Sequence, residues 1–525
     1  MMRRLLLTLA LLCVAAPVGA QTTAALLDSL QRTGFQFFWN EANPANGLVK
    51  DRSTPGSPSS IAAVGFGLTA IAIGVDHGWV AREDAAERVR TTLRTFWDGP
   101  QGSEATGTIG YRGFFYHFLD MNTATRVNVD TELSSIDTGL LLAGVIDAGL
   151  YFGRNDPVEA EIRWLADSIA YRVDWNFMRN NGSSLRMGWK PGTGFSGFGS
   201  WIGYNEAMIM YLLAIGSPSR PGPPSMWGAW TSGYSWNTLY GQSYVTFPPL
   251  FGHQYSHCWV DFRGAKDFYM SQPTRNIDYF ENSRRATLAQ RAYSIANPGG
   301  WFLYSDSLWG LTASDGPFGY QARGAPPAQN DNGTITPTAA LSSIPFAPDE
   351  TLPVVHYLWN HYRPQLWGPY GWRDALNPSF NWYATDVLGI DQGPIVIMIE
   401  NYLTGSVWSR FMRSPIIQAG LARAGFAGVV GVEDAPLPGA HGLALAGPNP
   451  FRDRTSIRLE LARAADVRVA LFDVQGRQVA SLARGRLAAG SHVLPVAVDG
   501  LAAGLYLVRC ETEGRVLGMR LIHLR

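Results

Sequence analysis

The amino-acid pattern predicts a mainly α-helical protein, an (α/α) barrel of paired helices, with a small β-sandwich behind it. Two observations carry this. Over residues 24–420 helical stretches alternate between apolar on nearly every face and amphipathic. Near residue 425 the composition turns to Pro, Gly and Ala, and beyond it short segments alternate apolar and polar. Periodicity alone does not separate a barrel from another large helical fold.

The first element, MMRRLLLTLALLCVAAPVGAQ, has two arginines, an apolar run and small residues before Gln21. That is the pattern of a signal peptide over 1–20, too short to span a bilayer. No later segment reaches about 18 apolar residues, so an exported chain without a transmembrane segment is expected. Helices are expected at 24–39, 61–75, 81–97, 133–152, 157–173, 203–215, 277–296, 349–362, 392–403 and 411–424. Residues 61–75 (IAAVGFGLTAIAIGV) are apolar and rich in Ala and Gly, which suits a helix in close contact on all sides. Residues 81–97 set Arg82, Glu83, Glu87, Arg88, Arg90 and Arg94 against Ala85, Val89, Leu93 and Phe96, an outer amphipathic helix. The pairing recurs: 133–152 is mostly apolar, and 157–173 opens on a favourable proline and carries a charged face. These helices place a barrel domain at 21–430, a linker at 431–448 (GVEDAPLPGAHGLALAGP) and a β-domain at 449–525. Strands are expected at 455–461, 467–474, 492–498 and 504–509.

Composition narrows the function. The chain has 525 residues, 46% hydrophobic and only 16% charged, with 18 Trp, 21 Tyr and 25 Phe, enough for a large core. Lys and Arg number 42 and so do Asp and Glu, which removes the basic footprint of a nucleic-acid binder. Beyond the leader only Cys258 and Cys510 remain, far apart, so no disulfide framework is expected. GxSxG, HExxH and P-loop patterns are absent, and no GxGxxG opens a helix after a strand. His253, His257 and Cys258 in GHQYSHCW are one conceivable metal set, but with no fourth ligand in view the reading needs no metal and no cofactor.

What remains is carboxylates among aromatics. Asp130, Glu132 and Asp137 stand where an apolar helix begins, although Asp130 or Ser134 as a simple helix cap would explain part of that pattern. Glu206 in SWIGYNEAMIMYLLA is the one charged residue between Lys190 and Arg220. So apolar a setting raises a carboxyl pKa, as a general acid needs, while the helix dipole offers a plain structural alternative. Asp386, Asp391, Gln392, Glu400 and Asn401 surround a further apolar helix. Trp189, Trp201, Tyr204, Trp259, Trp301, Trp309, Trp372 and Trp382 could line a sugar groove, or pack the core. Two carboxylates and an aromatic groove point to glycoside hydrolysis, one acid protonating the leaving oxygen and a second activating water or attacking the sugar.

Six blocks then match in order: GFGLTAIAIGVDHGW, FFYHFLD with ELSSIDTGLLLAG, GYNEAMIMYLLAIGSP, LFGHQYSHCWVDFRG, DGPFGY, and GIDQGPIVIMIENYLTGSVW. Together, over about residues 25–420, they resemble the glucoamylase-like domain of glycoside hydrolase family 144, and are similar to the domain of cyclic β-1,2-glucan synthases. The resemblance implies an (α/α)6 barrel that cleaves β-1,2-glucan to short oligosaccharides with inversion. It implies Glu206 as general acid and Asp391 on the general-base side. Asp130, Glu132, Asp137, Tyr204, Trp201, His253, His257, Arg263, Asp315 and Gln392 would bind substrate. NPFRDRTSIRLEL, VRVALFDVQGRQVASL and LAAGLYLVRC resemble the C-terminal sorting domain of type nine secretion cargo and the immunoglobulin-like domain of flagellar hook-capping proteins. That implies an immunoglobulin-like sandwich, an extracellular or cell-surface location, and the secretion machinery as a partner. The loops at 218–236 and 326–336 depart from the family pattern and could reshape the groove. Exo-cleavage, transglycosylation, another β-glucan and a non-catalytic carbohydrate-binding surface protein therefore stay open as alternatives.

Overall fold

A computed structural model describes residues 22–426, 442–447, 449, 451–461, 464–473, 477–488, 490–497, 501–512 and 515–524. The expected signal peptide at 1–20 and most of the expected linker at 431–448 lie outside the described residues. The chain divides into two compact units, residues 1–431 and 432–525.

In the first unit the longer helices are α1 (Thr23–Asn40), α2 (Ile61–Asp76), α3 (Arg82–Asp98), α4 (Ser135–Tyr151), α5 (Pro157–Tyr171), α6 (Met208–Gly216), α7 (Tyr279–Ala296), α8 (Pro348–Leu366), α9 (Gly389–Leu403) and α10 (Pro415–Arg423). The apolar helices form the inner layer: α9 packs on α2, α2 on α4, and α4 on α6. Outside them α1 covers α9, α5 covers α4 with α3 beside it, and α10 covers α6. Inner helices bury nearly every residue, whereas α3 buries one stripe (Ala85, Ala86, Val89, Thr92, Leu93, Phe96).

The Ala- and Gly-rich composition has a steric purpose. A Cβ on Gly65 of α2 would stand 2.3 Å from the carbonyl oxygen of Leu140, and one on Gly144 of α4 would stand 1.9 Å from that of Gly65. Backbone therefore touches backbone between α2 and α4, a spacing only glycine permits. Deep among the helices, Arg410 donates two hydrogen bonds to Asp147, at 2.7 and 2.8 Å, and Asp147 is wholly buried.

Local chemistry moves some boundaries. The stretch expected as one helix over 203–215 becomes helical only at Met208, because residues 203–207 form a turn opened by Gly203 at φ +87°. The stretch expected over 411–424 is two helices, Ser406–Phe411 and α10, since Pro415 at the first turn lacks an N–H to continue the preceding ladder.

In the second unit the strands are β1 (Gly442–Leu445), β2 (Arg454–Leu461), β3 (Ala465–Asp473), β4 (Gln478–Leu487), β5 (Gly490–Ala497), β6 (Gly504–Thr512) and β7 (Arg515–His523). They form two antiparallel sheets, ordered β1-β2-β5 and β4-β3-β6-β7. Alternate residues of both, among them Ile457 and Leu459 from one and Val467, Val469, Leu471 and Val508 from the other, share one hydrophobic cluster. Strands β1, β4 and β7 escaped the sequence reading; in β4 the run ARGR interrupts the apolar alternation.

Candidate active site

One end of the inner helices is assembled from the segments that lead into them. Short antiparallel bridges tie these segments in turn: Arg52 to Leu388, Lys50 to Ser59, Ser60 to Phe118, Tyr116 to Leu133, Ser134 to Gly188, and Arg186 to Ser200. Each bridge satisfies backbone groups that a helix start leaves open, and sets the next side chain toward the same end. Ser60 and Ser134 then cap α2 and α4 through the N–H groups of Ala63 and Asp137.

Glu206 sits in the turn before α6. Its carbonyl accepts from the Ser256 hydroxyl at 3.0 Å, and Ser256 Oγ in turn accepts the Ile209 N–H at 3.0 Å, while Asn205 Oδ1 accepts the Ala207 N–H. The turn is thus pinned on both sides. The carboxyl is partly buried, and its Oε2 is enclosed with no hydrogen-bond donor. Burial pushes the Glu206 pKa up to about 7; a backbone N–H opposes the rise and the charge of Asp137 adds to it.

Asp391, in the first turn of α9, is buried against Asp374. Asp374 Oδ2 accepts the Asp315 N–H at 2.6 Å, leaving Asp374 Oδ1 and both oxygens of Asp391 buried without a donor. Burial, then the charge of Asp374, raises Asp391 well above the usual carboxylate range; burial also lifts Asp374, to about 7. The buried Tyr255 lies within electrostatic reach of both Asp391 and Glu206, and burial followed by the neighbouring charges raises its phenol well above 10.

Around them stand two charged groups of residues. Arg52 donates to Asp51 at 3.3 Å, Asp315 at 3.0 Å and Asp386 at 3.3 Å, and Thr54 donates to Asp386 at 2.7 Å. His117 Nδ1 lies 2.9 Å from Glu132 Oε1, and its Nε2 3.6 Å from Asp137 Oδ2. Burial alone would lower the His117 pKa, but Asp137, Glu132 and Asp51 together push it up to about 9, so the imidazolium is charged at neutral pH. Asp137 also accepts from Ser134 Oγ.

The structure therefore gathers Glu132, Asp137, Glu206, Asp315, Asp386 and Asp391 at one end, with Trp201, whose indole N–H donates to Ser135 Oγ at 2.9 Å. The other expected contacts lie apart from this cluster. Asp130 is exposed in the Asn128 turn and does not join the His117 group. Tyr204, stacked on His253 at 4.7 Å, is core, and so is His257, held by the Ser283 hydroxyl at 3.0 Å. Burial pulls the His253 pKa to about 3, so it is neutral. Gln392 donates to the Trp372 carbonyl at 2.9 Å, inside the protein. Arg263 pairs with Asp261 and lies 4.7 Å over Trp408, just beyond the far end of α9. Tyr204, His253, His257 and Gln392 thus turn into the helical core. Glu400 is likewise at the far end, holding His77, Gln31 and Thr404, because nine residues of helix put it about 13 Å along the axis from Asp391. Trp259, Trp309 and Trp372 are fully buried core.

The sequence reading missed Asp51, Arg52, His117, Tyr255, Tyr320 and Asp374. A signal did exist for His117, Tyr255 and Tyr320, which lie in three of the matched blocks, FFYHFLD, LFGHQYSHCWVDFRG and DGPFGY.

Residues 199–415 match the family described as "Putative glucoamylase", and residues 447–523 match the secretion system C-terminal sorting domain. The exo β-1,2-glucooligosaccharide sophorohydrolase (non-reducing end) of Parabacteroides distasonis is 31% identical over 443 residues, 78% of this chain and 59% of the relative. This chain thus spans about three fifths of the length of that curated relative. A crystal structure from Bacteroides uniformis bearing the same glucoamylase description is 35% identical, with TM-score 0.71, covering 78% of this chain and 98% of that one. The endo-β-1,2-glucanase of Chitinophaga pinensis, solved with sophorotriose and glucose, is 29% identical with TM-score 0.71, covering 78% of this chain and 99% of that one. The helical unit thus has glucoamylase-like (α/α)-barrel neighbours.

Proposed function

Because the chain belongs to this glucoamylase-like family of glycoside hydrolases, we propose that it hydrolyses β-1,2-glucan to short oligosaccharides, with Glu206 as general acid and the Asp374 and Asp391 pair as general base. The observation that carries the reading is the contrast between these two centres. Glu206 is a single carboxyl lifted to about 7 by burial, so it holds a proton to give at neutral pH. Asp374 and Asp391 are two carboxyls that face each other without any other donor at the contact, so together they hold one proton and one negative charge.

In the reaction Glu206 protonates the glycosidic oxygen as its bond to the anomeric carbon breaks. Water adds to that carbon from the opposite face and gives its proton to the Asp374 and Asp391 pair, inverting the anomeric configuration. His117 carries the positive charge that holds Glu132 and Asp137 in place beside Glu206. The linkage follows the similarity to the two β-1,2-glucan enzymes, and inversion follows the resemblance read from the sequence blocks.

The test is incubation with linear β-1,2-glucan beside β-1,3-, β-1,4- and α-1,4-glucans, with chromatography of the products and NMR of the first-formed anomer. Short oligosaccharides from the β-1,2 polymer alone, released as the α-anomer, are expected. Silence on all four polymers would point instead to a carbohydrate-binding protein and overturn the hydrolase reading.

The domain plan belongs to the same proposal: an (α/α)6 barrel at 21–430, a linker, and an immunoglobulin-like sandwich at 449–525. That sandwich addresses the exported chain to type nine secretion and the cell surface. Its support is the sorting-domain match and two sheets sharing one core. Deleting residues 447–525 should leave the enzyme inside the cell envelope; unimpaired appearance outside would overturn this part.

A further inference from the structure

The hairpin formed by the paired residues Ala313–Ser314 and Gln321–Ala322 is held from beneath by one buried side chain. Arg323, 1% exposed, donates to the carbonyls of Ser314 at 2.9 Å, Asp315 at 3.3 Å, Gly319 at 3.2 Å and Gln321 at 3.3 Å. Gly316 rests on that guanidinium, where a Cβ would stand 2.3 Å from Nη2, and Gly319 turns the chain at φ +100°. The loop is therefore fixed, yet its tip puts Phe318 into water, 74% exposed.

A second fixed element meets it. Phe380 ends the 3-10 turn Pro378–Phe380, its N–H donating to Asn377 Oδ1 at 3.2 Å, and Asn381 closes the turn in the left-handed region. Ser379 Oγ accepts the Phe302 N–H at 3.0 Å. The Phe380 ring, 50% exposed, stands edge to face with Phe318, centroids 5.2 Å apart. Two rings held in water by rigid supports form apolar surface that packing does not explain, the mark of a contact surface.

The same hairpin says what covers it. Asp315 reaches Arg52 in the carboxylate cluster, and Tyr320, half exposed, has its phenol in the field of Asp391, Asp374, Asp51 and Asp315. The aromatic surface is thus continuous with the site, and a chain leaving the carboxylates along Tyr320 arrives at Phe318. The carbon face of a pyranose ring fits a phenyl platform without needing a hydrogen bond.

We propose that Phe318 and Phe380 form a platform that stacks a glucosyl residue of the bound β-1,2-glucan away from the bond being cleaved, and so give the enzyme its preference for longer chains. This rests on the β-1,2-glucanase reading above. The test is steady-state kinetics of Phe318→Ala, Phe380→Ala and the double variant on long β-1,2-glucan and on the shortest oligosaccharide that the wild type cleaves, with melting temperatures as the folding control. The polymer-to-oligosaccharide ratio of kcat/KM should fall about 3- to 10-fold, through KM, and Phe318→Trp should restore it. An unchanged ratio in a folded double variant would overturn the platform alone. A wild type inactive on every β-1,2-glucan would overturn the parent reading and the platform with it.

Discussion

Asp374 and Asp391 face each other as two buried carboxyls whose contact requires one shared proton. Three of their four oxygens have no donor, and the fourth accepts the Asp315 N–H. Like charges so close cannot both ionise, so one carboxyl keeps its proton well into the neutral range. Asp374→Asn removes the charge beside Asp391 and offers it an N–H donor, both of which favour ionised Asp391. The acid limb of the kcat/KM profile should then move to lower pH, and kcat should fall about tenfold or more as the base weakens. An acid limb that stays in place would show that the pair is not the base.

Glu206→Gln deletes the transferable proton and little volume. Activity should fall about 10²- to 10⁴-fold; a variant keeping more than about a tenth of the wild-type rate would exclude Glu206 as general acid.

The same substitution has a stability signature. Glu206 binds its proton more tightly folded than unfolded, so the wild type loses stability as pH rises from the ordinary glutamate value of 4.5 to about 7. Glu206→Gln escapes that loss. Its gain over wild type should therefore be larger at pH 8 than at pH 4, on the order of 1–3 kcal/mol, read from denaturant midpoints at the two pH values.

His117→Gln removes the cation between Glu132 and Asp137, leaving more negative charge around Glu206. Protonated Glu206 is thereby favoured, and the alkaline limb of kcat/KM should move up by as much as about one pH unit. A downward shift would mean that His117 does not act on Glu206 through charge.

Asp147→Asn strands the Arg410 guanidinium in the helical core without its carboxylate. Loss of a buried partner typically costs about 3–5 kcal/mol, so chemical denaturation should show a drop of that order. A change below about 1 kcal/mol would mean that water reaches Arg410.

Much was legible in the sequence because it depends on local pattern. An all-apolar stretch such as 61–75 has no exposed face to offer, so it must stand inside, and the one striped with arginines must stand outside. Glu206 was conspicuous for the same reason: a lone acid in an apolar run is either a fault or a function.

Tertiary structure decided which distant side chains meet and which way each one points. Asp51, His117, Asp137 and Asp391 come together because six short bridges align the starts of helices far apart in the chain, while Asp374 is set by its N–H on the Asp386 carbonyl and Glu206 by the Ser256 hydroxyl on its own carbonyl. His253 and Gln392 lie in equally suggestive blocks, yet turn into the core. A motif states which residues are present. The direction of each side chain is fixed only when the backbones of neighbouring helices touch, and that contact is a property of the packed whole.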